Sequence, residues 1–533
     1  MAPPSPPGDR ALPFSTPLSP RAALAFGLVA PALLLLAGMA RVRSFTVDDA
    51  YISYRYARNL ARGLGLVYNA GERVEGYTNF LWTVLLAGAI RLGLDPDVVA
   101  KALGALSALA SLGLVYLLAA RLRPFSNLPC VATWLLASSA VTGGHAVFGL
   151  ETALFTALVL AGAELFFREE AAAPSTTAAP FDTALGAPLA TALGAPPGPA
   201  PRLAARLPLS GAVFALAALT RPEAPLYVGV LMLSLGRGLL ARKNLLRGAL
   251  FAAPVLAHLL WRRAYYGAWL PNTLAVKLGP LDFRLQLGGD YLLGYAAHAG
   301  PALALALVAV ALGVSRRHRD LLAVAAVTAA VGVYVALIGG DWMPLFRFMA
   351  PLEPFAFLLA DAAARDLFAR PSRALRLVLL LAVTGVLYQR ASTLRRSQRM
   401  ILDQEAPLWA ALTGGTARWL EDRGAPGEIA LGDIGYVGYA TDYPVLDLLG
   451  LVDPTIAALP GSYTRKVGPG LVDHLIARAP AYVVLISSRP DCQRPANPGS
   501  LSIYRDLRFK QRYRVAGTVQ IAAGTWCIHE RTP

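Results

Sequence analysis

Long apolar runs dominate the chain from residue 22 to residue 390. An α-helix needs about 20 apolar residues to cross a bilayer, and eleven runs reach or approach that length. The pattern therefore predicts a polytopic α-helical membrane protein with about eleven transmembrane helices. The runs lie at 22–40, 97–120, 128–143, 150–167, 209–220, 224–240, 246–266, 291–313, 321–338, 348–363 and 376–390.

A further apolar run at 79–92 is short and ends in Arg91. Segments of about 10–14 residues more often lie at the interface than span. If this one is interfacial and the N-terminus is cytoplasmic, four basic connections all fall inside, as the positive-inside rule requires. They are 121–123, 237–247, 316–319 and 365–376. We therefore predict an inner-membrane protein with a cytoplasmic N-terminus and an extracytoplasmic C-terminal domain.

The polar segments complete the predicted organisation. Residues 1–21 form a disordered cytoplasmic tail, 22–390 the transmembrane catalytic domain and 168–208 a flexible Ala/Pro-rich cytoplasmic linker. The run at 22–40 exceeds the 7–15 residue core of a signal peptide, which disfavours cleavage. Residues 391–533 carry strand-length runs and predict a small α/β or α+β domain. The strand-length runs are 428–431, 481–486, 513–519 and 526–529.

Composition excludes several classes of protein. Only 15% of residues are charged and 56% are hydrophobic, whereas soluble domains carry about 25% charged residues. The net charge of +16 follows from the positive-inside pattern, so we expect no nucleic-acid partner. Three cysteines are too few for a zinc ribbon or a disulfide-rich scaffold. Cys492 and Cys527 share the C-terminal domain, and the sequence leaves open whether they pair or remain free thiols.

The first extracytoplasmic loop holds the segment TVDDAYISYRYARNLARGLGLVYN, residues 46–69. Asp48 and Asp49 open a predicted helix, where capping accounts comfortably for one carboxylate but less well for two. A carboxylate pair at a membrane surface suits a general base or a metal ligand. Two stripes follow on this helix, and they predict an interfacial amphipathic helix with cations facing lipid phosphate. The apolar stripe is Ile52, Tyr56 and Leu60, and the basic stripe is Arg55, Arg58 and Arg62.

Four more polar motifs fall at the extracytoplasmic ends of spans. Arginines clamp phosphate, aromatic rings pack on sugars and carboxylates accept protons, although single charged residues also cap helices or snorkel. Convergence on one face is the functional signal. The candidate acidic or polar residues are His145, Glu151, Glu223 and Asp341; the candidate donor-phosphate ligands are Arg221, Arg263, Lys277 and Arg347; the candidate sugar or lipid contacts are Tyr51, Tyr265, Trp269, Asn272 and Trp342.

These motifs together resemble the GT-C superfamily of membrane glycosyltransferases. The likeness is carried by DDAYISYRYARNL, GERVEGYTNFLW, YYGAWLPNT, GGDWMP and GDIGYVGYATDYPVLDLLGLVDP. It is nearest to the branch that holds the terminal β-(1→2)-arabinofuranosyltransferases of cell-wall arabinan. The Ala/Pro linker and the Pro-rich tail depart from the family core, and the sugar itself stays open.

The resemblance implies a polyprenyl-phosphate sugar donor, a glycan or glycolipid acceptor and an inverting transfer. It places the catalytic aspartate in the first loop, which here means Asp48 or Asp49, and it implies two juxtamembrane helices there. A divalent metal, Mg or Mn, often assists such enzymes, with Asp49 and Glu151 as its candidate ligands here. No organic cofactor is expected.

Two other functions fit part of the pattern. A transporter or flippase of lipid-linked sugars would place its polar residues near the bilayer midplane and show repeated halves. Here the polar motifs lie at span ends, and the halves do not match. A non-catalytic glycan-binding scaffold would tolerate neutralisation of Asp48 and Asp49. The transferase is therefore the favoured interpretation.

Overall fold

The computed structural model describes residues 19–122, 130–171, 207–277, 280–316, 318–369, 372–424, 427–461, 466, 468–521 and 524–533. Most of the predicted tail and linker, together with Arg123, Arg317 and the side chain of Lys277, lie outside the described residues. At the edge of the tail, Pro20 and Arg21 already belong to the first helix.

The helical region runs from Pro20 to Asp422. Its first part contains α1 (Pro20–Val42), α2 (Asp48–Ala61), α3 (Phe80–Arg91), α4 (Pro96–Leu122), α5 (Val131–Ala137), α6 (Ala140–His145), α7 (Thr152–Ala171), α8 (Ser210–Thr220) and α9 (Ala224–Leu233). Its second part contains α10 (Arg242–Tyr266), α11 (Asn272–Lys277), α12 (Leu281–Ala299), α13 (Ala302–Arg316), α14 (Arg319–Ile338), α15 (Glu353–Phe368) and α16 (Arg373–Asp422).

Five helices of the described residues, α1, α4, α10, α14 and α16, are long and apolar enough to cross a membrane. The number becomes six if α12 and α13, bent by 98° to each other, are taken as one span. Large apolar side chains such as Leu33, Leu106 and Leu260 point outward, as expected where the surrounding medium is lipid. These features indicate a membrane protein, while the count of eleven spans and the orientation remain predictions.

Two of the predicted spans are interrupted. The run at 128–143 divides into α5 and α6, because Ser139 leaves the helix and its hydroxyl caps α6 by accepting from the Thr142 amide. The run at 291–313 bends where Gly300 has φ +61° and Pro301 lacks an amide donor. The domain boundary expected at residue 390 lies inside α16, which is 50 residues long and ends at Asp422.

The C-terminal domain contains a five-stranded mixed sheet in the order β2-β1-β3-β5-β4. Strands β1, β2 and β3 are parallel, and β5 is antiparallel to β3 and β4. Four strands match the predicted runs; β2 was missed because it has three residues and ends in an aspartate. The elements are β1 (Ile429–Leu431), α17 (Gly435–Thr441), β2 (Val445–Asp447), α18 (Pro454–Ala457), α19 (Pro469–Arg478), β3 (Tyr482–Ser487), α20 (Pro498–Arg505), α21 (Leu507–Arg512), β4 (Tyr513–Ile521) and β5 (Gly524–Arg531).

Each face of the sheet has a different partner. Ala430, Val483 and Leu485 pack with residues of α19, α20 and α21. The alternate residues of the strands turn to the other face, because side chains alternate along a strand, and they meet the first loop, residues 43–95. That contact joins Ile429, Leu431, Val484, Trp526 and Ile528 of the sheet to Ile52, Tyr56 and Tyr68. A disulfide between Cys492 and Cys527 ties the segment after β3 to β5, with Cα atoms 5.9 Å apart.

The first loop and the C-terminal domain lie at the same end of the helical region. Helix α17 packs on α2 through Gly435 and Gly438. A Cβ atom at Gly435 would collide with the Asp48 backbone, and one at Gly438 would collide with the Tyr68 hydroxyl. The spacing of the two glycines therefore permits the close approach of the two helices.

We predict that Gly435→Ala weakens this packing by about 1–3 kcal/mol, the usual cost of forcing an extra carbon into a well-packed contact. The matched control is Gly414→Ala on α16, because nothing lies within 4 Å of a Cβ built there. Thermal unfolding of the purified protein, with limited proteolysis of the C-terminal domain, measures the effect. Equal stability of the two variants would contradict the proposed close contact.

Candidate active site

Asp48 begins α2 and bonds to the C-terminal domain. Its two carboxylate oxygens accept hydrogen bonds from the backbone amides of Gly435, at 2.9 Å, and Tyr436, at 2.8 Å. These amides start α17, and the first amides of a helix have no intrahelical acceptor. Asp48 is buried, so its carboxylate fastens the first loop to the C-terminal domain.

An acidic cluster surrounds this contact. Burial, followed by the neighbouring Asp433 carboxylate, raises the pKa of Asp48 to about 7. Burial, followed by Asp49, raises the pKa of Asp433 to about 7. Burial also raises the pKa of Asp447 to about 7, although backbone amides including that of Val452 oppose the rise. Asp49 itself is half-buried at the edge of the cluster. The pKa values of Asp48, Asp433 and Asp447 therefore lie near neutrality.

The basic stripe of α2 does not face lipid phosphate, and that expectation is wrong. Arg55 is buried and donates to the carbonyl oxygens of Gly438, at 2.6 Å, and Tyr443, at 2.8 Å. Arg58 donates to the Tyr439 carbonyl at 2.8 Å, and Arg58 and Arg62 both pair with Asp442. An amphipathic pattern fits a protein surface as well as a membrane, and here the C-terminal domain takes the place of lipid.

Glu151 belongs to a second polar cluster. One of its oxygens accepts from the Asn79 amide at 2.8 Å, and the other pairs with Arg221 at 2.9 Å. Arg221 also pairs with Glu223 at 2.5 Å. Asn79 donates in addition to Ser53 on α2 at 3.0 Å. The structure thus brings Glu151, Arg221 and Glu223 together in a buried group linked to α2.

The GGDWMP motif adds a third group beside the second. Asp341 pairs with Arg347 at 2.6 Å. The guanidinium groups of Arg347 and Arg221 both lie over the Phe348 ring, 5.3 Å and 5.2 Å from its centroid. His145 is buried within electrostatic reach of Arg347 and Asp341. Four predicted residues from three separate motifs, Asp341, Arg347, Arg221 and His145, therefore lie close together, with the two arginines at this ring.

The motif at 262–277 divides between structural and exposed residues. Arg262 pairs with Glu75 at 2.7 Å, and Asn272 donates to the carbonyl oxygens of Gly450 and Leu451. The Tyr265 hydroxyl accepts from the Leu66 amide at 3.1 Å. Arg263 and Trp269 are exposed. The contacts of this motif thus hold the 262–277 segment against the first loop and the C-terminal domain.

The remaining aromatic candidates lie at the surface or in a tyrosine cluster. Trp342 is exposed and packs near Trp409, with ring centroids 5.9 Å apart. Tyr51 is half-buried against Tyr436 and Tyr439 at 5.0 and 5.6 Å. Sequence reasoning did not single out Glu75, Asn79, Asp433 or Asp447, since their partners are remote in the chain. The two aspartates do fall in the stretch GDIGYVGYATDYPVLD that carried the resemblance.

The expected metal ligands Asp49 and Glu151 do not fit a metal site in this arrangement. Both oxygens of Glu151 are occupied, by Asn79 and Arg221. Within the part of the chain that the structure describes, no three His, Cys, Asp or Glu side chains are placed to hold an ion.

Comparisons with known proteins bear on the fold. The model of a domain of unknown function, DUF8728, matches residues 402–531, and no curated protein matches. ArnT from Cupriavidus metallidurans in the apo state is 13% identical, with a TM-score of 0.55 over 94% of this chain and 96% of that one. The same protein bound to undecaprenyl phosphate is 12% identical, with a TM-score of 0.53 over 94% and 97%.

A second similar structure is the archaeal oligosaccharyltransferase AglB from Archaeoglobus fulgidus, in complex with an inhibitory peptide and a dolichol-phosphate. It is 12% identical, with a TM-score of 0.54 over 87% of this chain and 69% of that one. ArnT and AglB are GT-C superfamily members, so the chain has a fold of the GT-C type. At these identities the likeness concerns the fold alone, and the arabinofuranosyltransferase branch remains a prediction.

We predict different costs for two of the candidate arginines. Arg221→Met leaves Glu151 and Glu223 buried without their cation, which costs about 3–5 kcal/mol of stability. Arg263→Met removes an exposed side chain and changes stability by less than about 0.5 kcal/mol. Denaturant unfolding of both variants in the same detergent measures the difference. Similar stabilities would mean that the Arg221 cluster is not held as described.

Proposed function

We propose that this protein is a membrane glycosyltransferase that moves a sugar from a polyprenyl-phosphate donor to a glycan or glycolipid acceptor with inversion. One observation carries the proposal: Asp48, the first of the two acids that open α2, is fixed against the C-terminal domain, and Asp49 lies beside it at the edge of a cluster of further carboxyls. The fold supports it, because the similar ArnT has been solved with undecaprenyl phosphate. We place the protein in the inner membrane with this end of the molecule extracytoplasmic.

We assign the general base to Asp49. Both oxygens of Asp48 already accept backbone hydrogen bonds, so Asp48 serves as the anchor that orients its neighbour. Asp49 takes the proton of an acceptor hydroxyl as that oxygen bonds to the anomeric carbon. The bond from this carbon to the phosphate oxygen breaks on the opposite side, and the electron pair leaves with the phosphate. Phosphate is a good leaving group, so no strong acid is needed.

The departing phosphate needs cations. Arg221 is paired with two carboxylates, whereas Arg347 pairs with one, that of Asp341. Because a guanidinium has five N–H donors, Arg347 can bind a phosphate in addition to Asp341. We therefore assign the phosphate first to Arg263 and Arg347, with Lys277 as a further cation from the same 262–277 motif as Arg263. Exposed Trp269 and Trp342 suit contacts with lipid or sugar, because indole rings favour the membrane interface.

The direct test is sugar transfer by purified protein in nanodiscs with a panel of polyprenyl-phosphate sugars. Polyprenyl-phosphate arabinofuranose heads the panel, because the sequence resembles that branch. Transfer to an acceptor or slow donor hydrolysis from one member supports the enzyme and identifies the sugar, and parallel reactions with EDTA test for a metal. Folded protein that turns over no donor would favour the transporter or scaffold.

We predict that Asp49→Asn and Asp48→Asn separate catalysis from anchoring. Without its base, the Asp49→Asn variant should lose about 10²–10⁴-fold in transfer and keep its melting temperature. The Asp48→Asn amide presents N–H to one of the two α17 amides, so the C-terminal domain should be destabilised by about 1–3 kcal/mol. Transfer assays and thermal unfolding of the same preparations measure both. Full transfer by Asp49→Asn would overturn the assignment of the base.

We predict that kcat/KM falls as pH drops below about 7, because the carboxyls of Asp48 and Asp433, which neighbour the base, have pKa values of about 7 and become protonated in that range. Above pH 7 the rate should level off. The midpoint belongs to the coupled cluster, and Asp433→Asn, which removes a negative neighbour, should move it to lower pH. Asp506→Asn in the exposed start of α21 is the control. An unchanged midpoint in Asp433→Asn would exclude this coupling.

A further inference from the structure

A cavity of about 110 Å³ opens in the C-terminal domain at the carboxyl ends of β1 and β3. From β1 the chain passes to β2 on one side, and from β2 it returns to β3 on the other. This reversal is a topological switch point, the place where open α/β sheets bind ligands. Its lining includes Gly432, Asp433, Leu485, Asn497, Ser500 and Trp526.

The charges around the cavity select the kind of ligand. Lys466 directs its ammonium at the carbonyl oxygens of Ala457 and Leu459, both at 2.7 Å. The start of α20 is capped, because the Asn497 side chain accepts from the Ser500 amide at 2.8 Å. The positive groups are thus already bonded, while Asp433 is partly exposed. An anion would be repelled by that carboxylate, whereas a neutral hydroxyl would donate to it.

The size of the cavity and the chemistry of its wall further restrict the class of ligand. Pockets for drug-sized ligands measure about 300–1,000 Å³, so this cavity suits one small ring. Trp526, Leu485 and other apolar side chains of the wall offer a surface for the apolar face of such a ring. A single saccharide unit combines these properties, with hydroxyls at its edge and C–H groups on its faces.

Asp433 also belongs to the acidic cluster around Asp48 and Asp49. We propose that the cavity binds the terminal sugar of the acceptor. Asp433 accepts a hydrogen bond from one hydroxyl of this sugar and so places the sugar beside the base. This inference rests on the proposed function. When the sugar is bound there, its hydroxyl is already oriented toward the base, which lowers the entropic cost of the transfer. Asp433 acts as a positioning residue.

The first experiment compares Ser500→Leu, which fills the cavity, with Ser502→Leu on the same helix, whose hydroxyl lies outside the lining. The assay uses full-length protein in nanodiscs, the polyprenyl-phosphate sugar that turns over in the donor panel, and methyl arabinofuranoside, methyl mannoside and methyl glucoside as acceptors. We expect Ser500→Leu to raise the acceptor KM at least about tenfold with donor hydrolysis unchanged, and Ser502→Leu to match wild type. Unchanged acceptor KM in Ser500→Leu would overturn the inference.

A second readout needs no turnover. Protein labelled with 5-fluorotryptophan gives a ¹⁹F signal for Trp526, assigned with Trp526→Phe. We expect the methyl glycosides to shift that signal in wild type and Ser502→Leu and not in Ser500→Leu, with inorganic phosphate inert. A phosphate-induced shift, or none with any glycoside, would overturn the sugar site. Glycoside shifts without any donor turnover would keep the site and reject only the proposed function.

Discussion

The packing of α2 against α17 is the contact on which the rest of the C-terminal half depends. Asp48 receives the two amides at the start of α17, and Arg55 and Arg58 bind carbonyl oxygens farther along it. Acid at the amino end of a helix and cations toward its carboxyl end complement the helix dipole. Asp48 and Arg55 are seven residues apart and α17 has seven residues, so the two lengths match. This contact places Asp49, Asp433 and the cavity at one end of the fold.

Burial of charge then determines which groups remain for chemistry. A buried ion is costly unless it is paired, and the helical region meets this requirement by pairing Arg221 with Glu151 and Glu223, and Arg390 with Glu353. Such pairs fix geometry because removal of one member leaves the other uncompensated. Arg263 is exposed and is not held in this way. The position of an arginine in the fold therefore shows whether it stabilises the scaffold or can bind a phosphate, and the residue type alone does not.

The sequence predicted whatever has a local signature. Apolar runs indicated the membrane helices, alternating short runs gave four of the five strands, and polar motifs at span ends identified residues that do meet around Phe348. Contacts between residues far apart in the chain had no such local signature. Arg55 faces the C-terminal domain rather than lipid. An amphipathic pattern predicts that one face of a helix is covered, but it does not show whether lipid or protein covers it. Glu75 and Arg262, which pair although they are 187 positions apart, and Asp48, whose carboxylate accepts from the α17 amides, could be assigned only from the folded chain.

The family model that matches 402–531 covers less than the unit that packs together. One face of its sheet is covered by α19, α20 and α21, but the other buries Ile429, Val484 and Ile528 against the first loop. A sheet of this kind needs both faces covered. Leu412 and Leu420 of the matched segment contribute to the second face, but the rest of that face is covered by first-loop residues about 380 positions away. The acidic cluster forms across that same junction. Stability of the C-terminal domain and geometry of the proposed site thus depend on one interface, and a change that loosens the first loop affects both.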